Sequence, residues 1–280
     1  MKLIHPPLFG ALMALCLLSC ATDENGFVQA PQPARENIEL AYPIFMGQLK
    51  KAVYKGEPIT YRSVEGEAVF QGDMILDQSE LTDPDRAIQG TGRSQRFLRW
   101  PNKIIHYTID PTLTNQARVT QAIAHWEAQT PIRFVLRTTQ TAYVTFRPGG
   151  GCSSSVGRVG TQQFITLAPG CTYGNTLHEI GHAVGLWHEQ SRADRDRSIT
   201  ILPQNIVPGF ENEFKTYTER RFDGFDHPGG FDFNSVMLYD SYSYTANGKP
   251  TITRKDGSTF FAQRAALSTL DRATVLSMYP

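Results

Sequence analysis

The spacing of three histidines restricts this chain more than any other feature of its sequence. Residues 175–196 read NTLHEIGHAVGLWHEQSRADRD, with His178 and His182 four apart and His188 six further on. An α-helix turns about 100° per residue, so side chains four apart point within about 40° of each other, one turn along the axis. On one helix His178 and His182 therefore bring two imidazoles to a common point. Ligand distances of about 2.0–2.1 Å from a zinc ion demand that convergence, and Glu179, about 100° round the helix, reaches a water at the ion without ligating it. In an unbroken helix His188 would point about 240° away from His182, so the helix must stop between them. Gly185 stands where a left-handed residue ends a helix at little steric cost, and beyond it His188 can return as a third ligand. His106, His125 and His227 lack such spacing and read as structural or solvated side chains.

Bulk charge names no partner. Lys+Arg 27 against Asp+Glu 27 in 280 residues gives a formal net charge of +0, which argues against a nucleic-acid-coating or polybasic membrane-binding protein. The balance is uneven along the chain. Residues 1–86 hold 7 basic and 12 acidic side chains, residues 87–280 hold 20 and 15, so an acidic segment precedes a basic one.

At the N-terminus, Met1-Lys2 is positive and Leu8 to Leu18 is apolar apart from Gly10, the length of a signal-peptide core and too short to span a bilayer. Leu17-Leu18-Ser19-Cys20 resembles the lipobox of bacterial lipoproteins. That resemblance implies a signal peptide over 1–19, a lipid on Cys20, and a cell-envelope lipoprotein, in the outer membrane given Ala21 after the cysteine. The membrane is then met only through the anchor. The other reading of the same residues is ordinary cleavage after Ala21 and simple secretion. Cys16 falls in the removed segment, leaving Cys152 and Cys171. An oxidising compartment favours a disulfide between them; metal binding by the two is the alternative.

From Thr22 to Arg86 the chain is acidic and poor in long periodic runs, with Pro31 and Pro33 in a polar opening like a tether. The pattern changes near Ala87. The runs Lys103–Asp110, Ile132–Thr138, Ala142–Pro148 and Gln163–Pro169 are β-branched and aromatic between turn residues and predict strands. A helix between the first two is expected, capped by Thr114 or Asn115, with Val119, Ala122, Ile123 and Trp126 on one apolar face. Ser268 and Asp271 form a capping box that opens a final helix, Thr269 to Met278.

Taken together, His178 to His188, the extension through Glu189, Arg192 and Asp194-Arg195-Asp196, and distant segments resemble the astacin family of zinc endopeptidases among the metzincins. Ser235-Val236-Met237-Leu238-Tyr239 is similar to the family's Met-turn, Arg99-Trp100-Pro101 to the start of its mature domain, and Gln263-Arg264 with Leu267-Ser268 to its closing segment. Phe70-Gln71-Gly72-Asp73 resembles its propeptide motif. The resemblance implies an α+β fold with a zinc cleft between two halves: a twisted mixed sheet with helices, and a loop-rich half holding the Met-turn and the last helix.

It also implies one Zn2+ per chain on His178, His182 and His188, with Tyr239 as fifth ligand at rest and Met237 as an apolar floor. Glu179 is the implied general base and Tyr239 the oxyanion donor. Cys152, Ser153 and Ser154 are implied as the edge strand that takes an extended protein or peptide substrate, with Ser153 where many relatives have tryptophan. Glu189, Asp194, Arg195 and Asp196 are implied scaffold charges. The acidic segment becomes an inhibitory propeptide whose Asp73 binds zinc in the zymogen, partly held by charge. The expected layout is signal peptide 1–19, tether and propeptide 20–86, and catalytic domain 87–280. An activating protease would cut near Arg86-Ala87, or at Arg93 or Arg96. The alternative function is a catalytically silent, surface-tethered zinc-binding protein of the same fold.

Overall fold

The computed structural model describes residues 39–43, 47–54, 57–82, 99–220, 222 and 224–280. The expected signal segment, Cys20 and the candidate cleavage sites at Arg86-Ala87, Arg93 and Arg96 lie outside the described residues.

Along the chain come β1 (Gln48–Tyr54), β2 (Glu57–Val64), β3 (Glu67–Phe70), β4 (Met74–Leu76), β5 (Leu81–Thr82) and β6 (Ile104–Ile109). Helix α1 (Ala117–Gln129) leads to β7 (Arg133–Leu136), β8 (Tyr143–Arg147), β9 (Cys152–Ser154) and β10 (Gln162–Leu167). Helix α2 (Tyr173–Val184), β11 (Ile199–Ile201), β12 (Ile252–Arg254) and α3 (Thr269–Met278) complete the chain. The first ten strands form one sheet in the order β5-β1-β2-β3-β4-β9-β10-β8-β6-β7.

The four strands expected beyond Ala87 are present as β6, β7, β8 and β10, each within a few residues of its predicted span. Strands β6, β7, β8 and β10 pair in parallel, while β9 runs antiparallel to β10. Parallel neighbours need crossovers, and α1 supplies the one from β6 to β7. Its Val119, Ala122, Ile123 and Trp126 are buried, as the periodicity predicts. The expected cap is not there. Gln116 sits at the N-cap without a side-chain bond, and Asn115 is spent on a left-handed turn, φ 51°, whose carbonyl accepts from the Arg118 N–H.

The acidic segment is more regular than its lack of periodic runs suggests: residues 48–82 form β1 to β5, half the strands of the sheet, with β4 seated against β9. The sequence hid these strands because β1 (QLKKAVY) buries only its last three residues, so the alternation that marks a half-buried strand is missing. What fixes them is pairing: β1 to β2 over seven residue pairs, then β2 to β3 and β3 to β4. Their apolar side chains, Tyr54, Ile59, Phe70, Met74 and Leu76 among them, make a separate core against Val156, Trp187 and Phe222.

The main core lies between the sheet, α1 and α2. Helix α3 belongs to it: Val275, Met278 and Tyr279 pack there, and the Tyr279 hydroxyl donates to the Val184 carbonyl at 2.7 Å. The last helix thus packs, with Val236 and Met237, against the core of the sheet. The predicted capping box at Ser268 and Asp271 is formed in both directions. The loop-rich half has its own core of Ile199, Phe210, Phe214, Tyr244, Ile252 and Phe260 beside β11 and β12. Among the described residues no helix is long and apolar enough to cross a membrane.

Cys152 and Cys171 are joined, tying β9 to the start of α2 across a sequence separation of 19. Closing a loop of that size removes unfolded-state entropy worth about 3 kcal/mol. Replacing both cysteines by serine is expected to lower stability by about that amount, read as a lower urea midpoint with a somewhat steeper slope, because the uncrosslinked unfolded chain exposes more surface.

Candidate metal centre and cleft

Helix α2 starts at a capping box in which Thr172 and Asn175 bond each other's backbone, and it is buried along almost its whole length. It ends at Gly185, whose φ of 119° lies in the left-handed region, with the Gly185 N–H on the Gly181 and His182 carbonyls. The break predicted from the histidine spacing is therefore real, and the chain turns back through Trp187 to His188.

The three imidazoles converge. His188 Nε2 lies 3.3 Å from His178 Nε2 and 3.2 Å from His182 Nε2. Asp73, from the tip between β3 and β4, brings its Oδ2 to 3.2 Å from His178 Nε2 and 3.1 Å from His188 Nε2, and its Oδ1 to 3.6 Å from His182 Nε2. All four ligand atoms lie within 4.8 Å of one another and all four residues are buried. The tip is shaped for this approach: Gly72 has φ 83°, and a Cβ there would lie 1.9 Å from the Tyr244 hydroxyl.

Tautomers follow from the partners on the far side of the rings. His178 Nδ1 faces the Val236 carbonyl at 2.8 Å and His182 Nδ1 the Leu186 carbonyl at 2.9 Å. A carbonyl only accepts, so each Nδ1 carries the proton and each Nε2 turns a lone pair inward. Burial lowers the His178 pKa and pushes that of His188 down to about 4, so both rings are neutral near pH 7. Asp73 turns its carboxylate toward these nitrogen lone pairs, and its Oδ1 has no hydrogen-bond partner among the described residues, so the four donors form a set that fits a cation. Nitrogen and carboxylate donors in a four-atom group suit zinc.

Glu179 projects beside this group. It is buried, its Oε2 has no hydrogen-bond partner, and burial, then the negative charges of Asp73 and Glu39, raise its pKa well above normal while Arg264 opposes them. A carboxyl poised to take up a proton is what a general base needs.

The segment 235–239 supports the ligands from below. Met237 is in the main core, and a Cβ at Gly181 would meet its sulfur at 2.5 Å. The capping carboxylate Asp271 also accepts from Ser235 Oγ at 2.7 Å and from the Val236 N–H at 3.0 Å, and the Val236 carbonyl orients His178. One residue read from sequence as a helix cap thus reaches the metal group through two hydrogen bonds in series, by way of Val236. Glu189 accepts from the Asp232 N–H at 2.8 Å, and Arg192 pairs with both oxygens of Asp194, in keeping with scaffold roles.

Tyr239 and the substrate edge are engaged differently from the resting-enzyme expectation. The Tyr239 hydroxyl donates to the Gln71 carbonyl at 2.5 Å, and its ring lies 4.5 Å from that of His188, tilted by 53°. Burial keeps that phenol protonated. Cys152, Ser153 and Ser154 form β9 and are buried; β4 covers their edge, with the Ser154 N–H on the Asp73 carbonyl at 2.9 Å. At the other end of β9, Glu39 pairs with Arg264 through both oxygens, at 2.7 and 3.1 Å, and accepts from Asn175 Nδ2 at 3.1 Å. The Ala41 N–H bonds the Gly72 carbonyl. Sequence reasoning missed Glu39, which no motif flags.

Residues 92–280 match the family model for Astacin, a peptidase family. Blastula protease 10 from Paracentrotus lividus is 40% identical over 223 residues, 72% of this chain and 37% of its own length. Protein SpAN from Strongylocentrotus purpuratus is 39% identical over 222 residues, so the chain spans little more than a third of these two relatives, 37% and 36%. Zinc metalloproteinase nas-4 from Caenorhabditis elegans is 32% identical over 216 residues, 75% of this chain and 68% of its own. Among solved structures, High choriolytic enzyme 1, a hatching enzyme zinc-protease from Oryzias latipes, superposes with a TM-score of 0.61 at 28% identity, over 68% of this chain and 98% of that one. With the three converging histidines, Glu179, Met237 and Tyr239 all inside the matched span, the chain belongs to the astacin family of zinc metalloproteases.

Proposed function

We propose that this chain is the precursor of a zinc endopeptidase that hydrolyses peptide bonds in proteins and is held inactive by its own residues 20–86, with 87–280 as the catalytic domain. The observation that carries the reading is the inward convergence of His178, His182 and His188 beside a buried Glu179 whose Oε2 has no hydrogen-bond partner among the described residues. Zinc held by these three imidazoles supplies a Lewis acid for the substrate carbonyl and acidifies water. Glu179 takes the proton of the attacking water and delivers it to the leaving amine. Tyr239, once released from the Gln71 carbonyl, donates to the carbonyl oxygen as negative charge grows there. Met237 keeps the floor of the group apolar. Cys152, Ser153 and Ser154 offer backbone bonds to an extended substrate where β4 now lies, a mode that tolerates many sequences.

Latency has the same residues as its basis. Asp73 is the fourth ligand of the precursor, and Gln71, β4 and Glu39 occupy the Tyr239 hydroxyl, the β9 edge and Arg264. An activating protease cutting near Arg86-Ala87 would free all of them together. The Cys152–Cys171 bond fits an exported chain. The relatives named above are animal proteins and lend no support to a bacterial envelope lipoprotein; export is proposed without the lipid on Cys20.

Three outcomes test the assignment. Glu179→Gln in the trimmed enzyme should keep one zinc per chain and lose about 10²–10⁴-fold in kcat; near-normal turnover removes Glu179 from the base role. Asp73→Ala should give the uncut precursor a measurable casein-digesting activity where the native precursor is silent, yet one well below the trimmed rate, because β4 still covers the β9 edge. Tyr239→Phe in the trimmed enzyme should cost about 10²–10³-fold in kcat, with zinc content unchanged.

A further inference from the structure

Strand β3 ends in Phe70, three residues before Asp73, and that ring is 1% exposed. Its surroundings come largely from the other part of the chain. Phe222 lies 5.1 Å from it, tilted by 58°, and Trp187 lies 6.4 Å away, edge-on at 77°. Trp187 and Phe222 stack on each other at 5.3 Å and 20°, so the two rings form one continuous wall. The Arg220 guanidinium sits 4.3 Å from the Phe70 ring centre. Arg220 is itself 5% exposed, and its Nε and Nη2 have no hydrogen-bond acceptor among the described residues. Glu213 and Glu219 act on this almost fully buried cation electrostatically, and the Phe70 ring lies against it, where the ring's negative face substitutes for lost hydration.

Trp187 directly precedes the third ligand His188, and Val156, two residues past β9, packs against the same cluster. The wall therefore stands at the Val156 end of β9, and the Arg264 site that holds Glu39 stands at the other end. Removing residues 20–86 takes Phe70 and Tyr54 away and leaves Val156, Trp187, Phe222 and Arg220 facing the cleft. An extended peptide advances about 3.3 Å per residue, so one replacing the 70–74 tip on β9 presents a side chain here two or three residues from its reacting carbonyl.

We propose that Val156, Trp187, Phe222 and Arg220 form a specificity subsite for an aromatic side chain of the substrate, on the side of the scissile bond away from Arg264. Phe70 is the precursor's occupant of that subsite. Aromatic pairs in tilted or edge-on geometry gain beyond their buried area, and a cation over the face adds to this, so aromatic rings win over aliphatic chains of similar size. A lysine or arginine side chain would meet the Arg220 charge and be excluded.

The proposal rests on the peptidase reading, and its test separates the two. Zinc-loaded enzyme, activated by proteolysis of the full chain, is given paired peptides with Phe or Ala at each of four positions on either side of the cleaved bond. One position should favour Phe by about tenfold in kcat/KM, and Phe222→Ala, which touches no ligand, should cut that ratio to about twofold with zinc content unchanged. No Phe preference at any position, or a ratio unaltered by both Phe222→Ala and Trp187→Leu, overturns the subsite. If the activated protein cleaves nothing, the peptidase reading fails. The subsite is then judged by calorimetry on the activated Glu179→Gln protein, with a peptide spanning residues 67–76 and its Phe70→Ala form. About tenfold weaker binding of the alanine peptide sustains it and equal binding refutes it.

Discussion

Everything at the centre of this molecule answers to one electrostatic requirement: three inward imidazole nitrogens and a carboxylate, all buried, are tolerable only around a cation. Four acceptor atoms within 4.8 Å of each other repel through their lone pairs, and an isolated buried carboxylate is among the costliest groups to desolvate. The protein commits its rings to this arrangement by fixing the opposite nitrogens on the Val236 and Leu186 carbonyls. Those carbonyls are fixed in turn, one by Asp271 at the start of α3 and the other by the reversal at Gly185. Helix α3, the 235–239 segment and the end of α2 are thus parts of a single device that orients ligands before metal arrives, the usual way outer contacts tune a site.

The segment proposed above as an inhibitory prosegment uses the same centre and adds sheet geometry. A carboxylate on a loose tether would have to order its whole chain to reach the histidines, losing roughly 1–2 kcal/mol of backbone entropy per residue fixed. Here β1 to β5 have already been ordered by pairing and by their own core, and β4 extends the catalytic sheet through β9. Asp73 is then the rigid tip of a hairpin, delivered with Gln71 on Tyr239 and Phe70 on its aromatic wall. In the activation proposed above, a cut would by itself remove none of these contacts; it would remove the tether that keeps the hairpin at high effective concentration, so the cut segment would then have to dissociate as a unit.

How much of this could be read beforehand differs by residue for physical reasons. The histidine spacing determined α2, its end at Gly185 and the return of His188, because helix geometry leaves no other way for the three rings to meet. The α1 stripe and the Ser268–Asp271 box were legible as local periodic or capping patterns. The strands of residues 48–82 were not, since their stability comes from cross-strand pairing and no local alternation records it. The cap of α1 was misjudged because Asn115 suits a left-handed turn as well as an N-cap. Glu39 could not be found at all: its partners Asn175 and Arg264 are 136 and 225 residues away.

The uneven charge along the sequence suggests a prosegment held by attraction between an acidic and a basic part, and the contacts allow that idea to be weighed. Two ion pairs join the parts in the described residues, Glu67 with Arg147 at 2.8 Å and Glu39 with Arg264 at 2.7 Å. Both are partly open to solvent, where such pairs are worth roughly 0–1 kcal/mol. Against them stands the burial of Phe70, roughly 1.5–3 kcal/mol for a side chain of that kind. Buried bonds from Gln71 Nε2 to Ser191 Oγ and to the Glu213 carbonyl, and from Tyr239 to Gln71, are worth roughly 0.5–1.5 kcal/mol each. Shape and hydrogen bonding therefore outweigh net charge in holding the prosegment. In the proposed zymogen the charge asymmetry would act over longer range, steering encounter and setting its salt dependence, while the depth of inhibition would be decided at the tip, by Asp73 among the histidines.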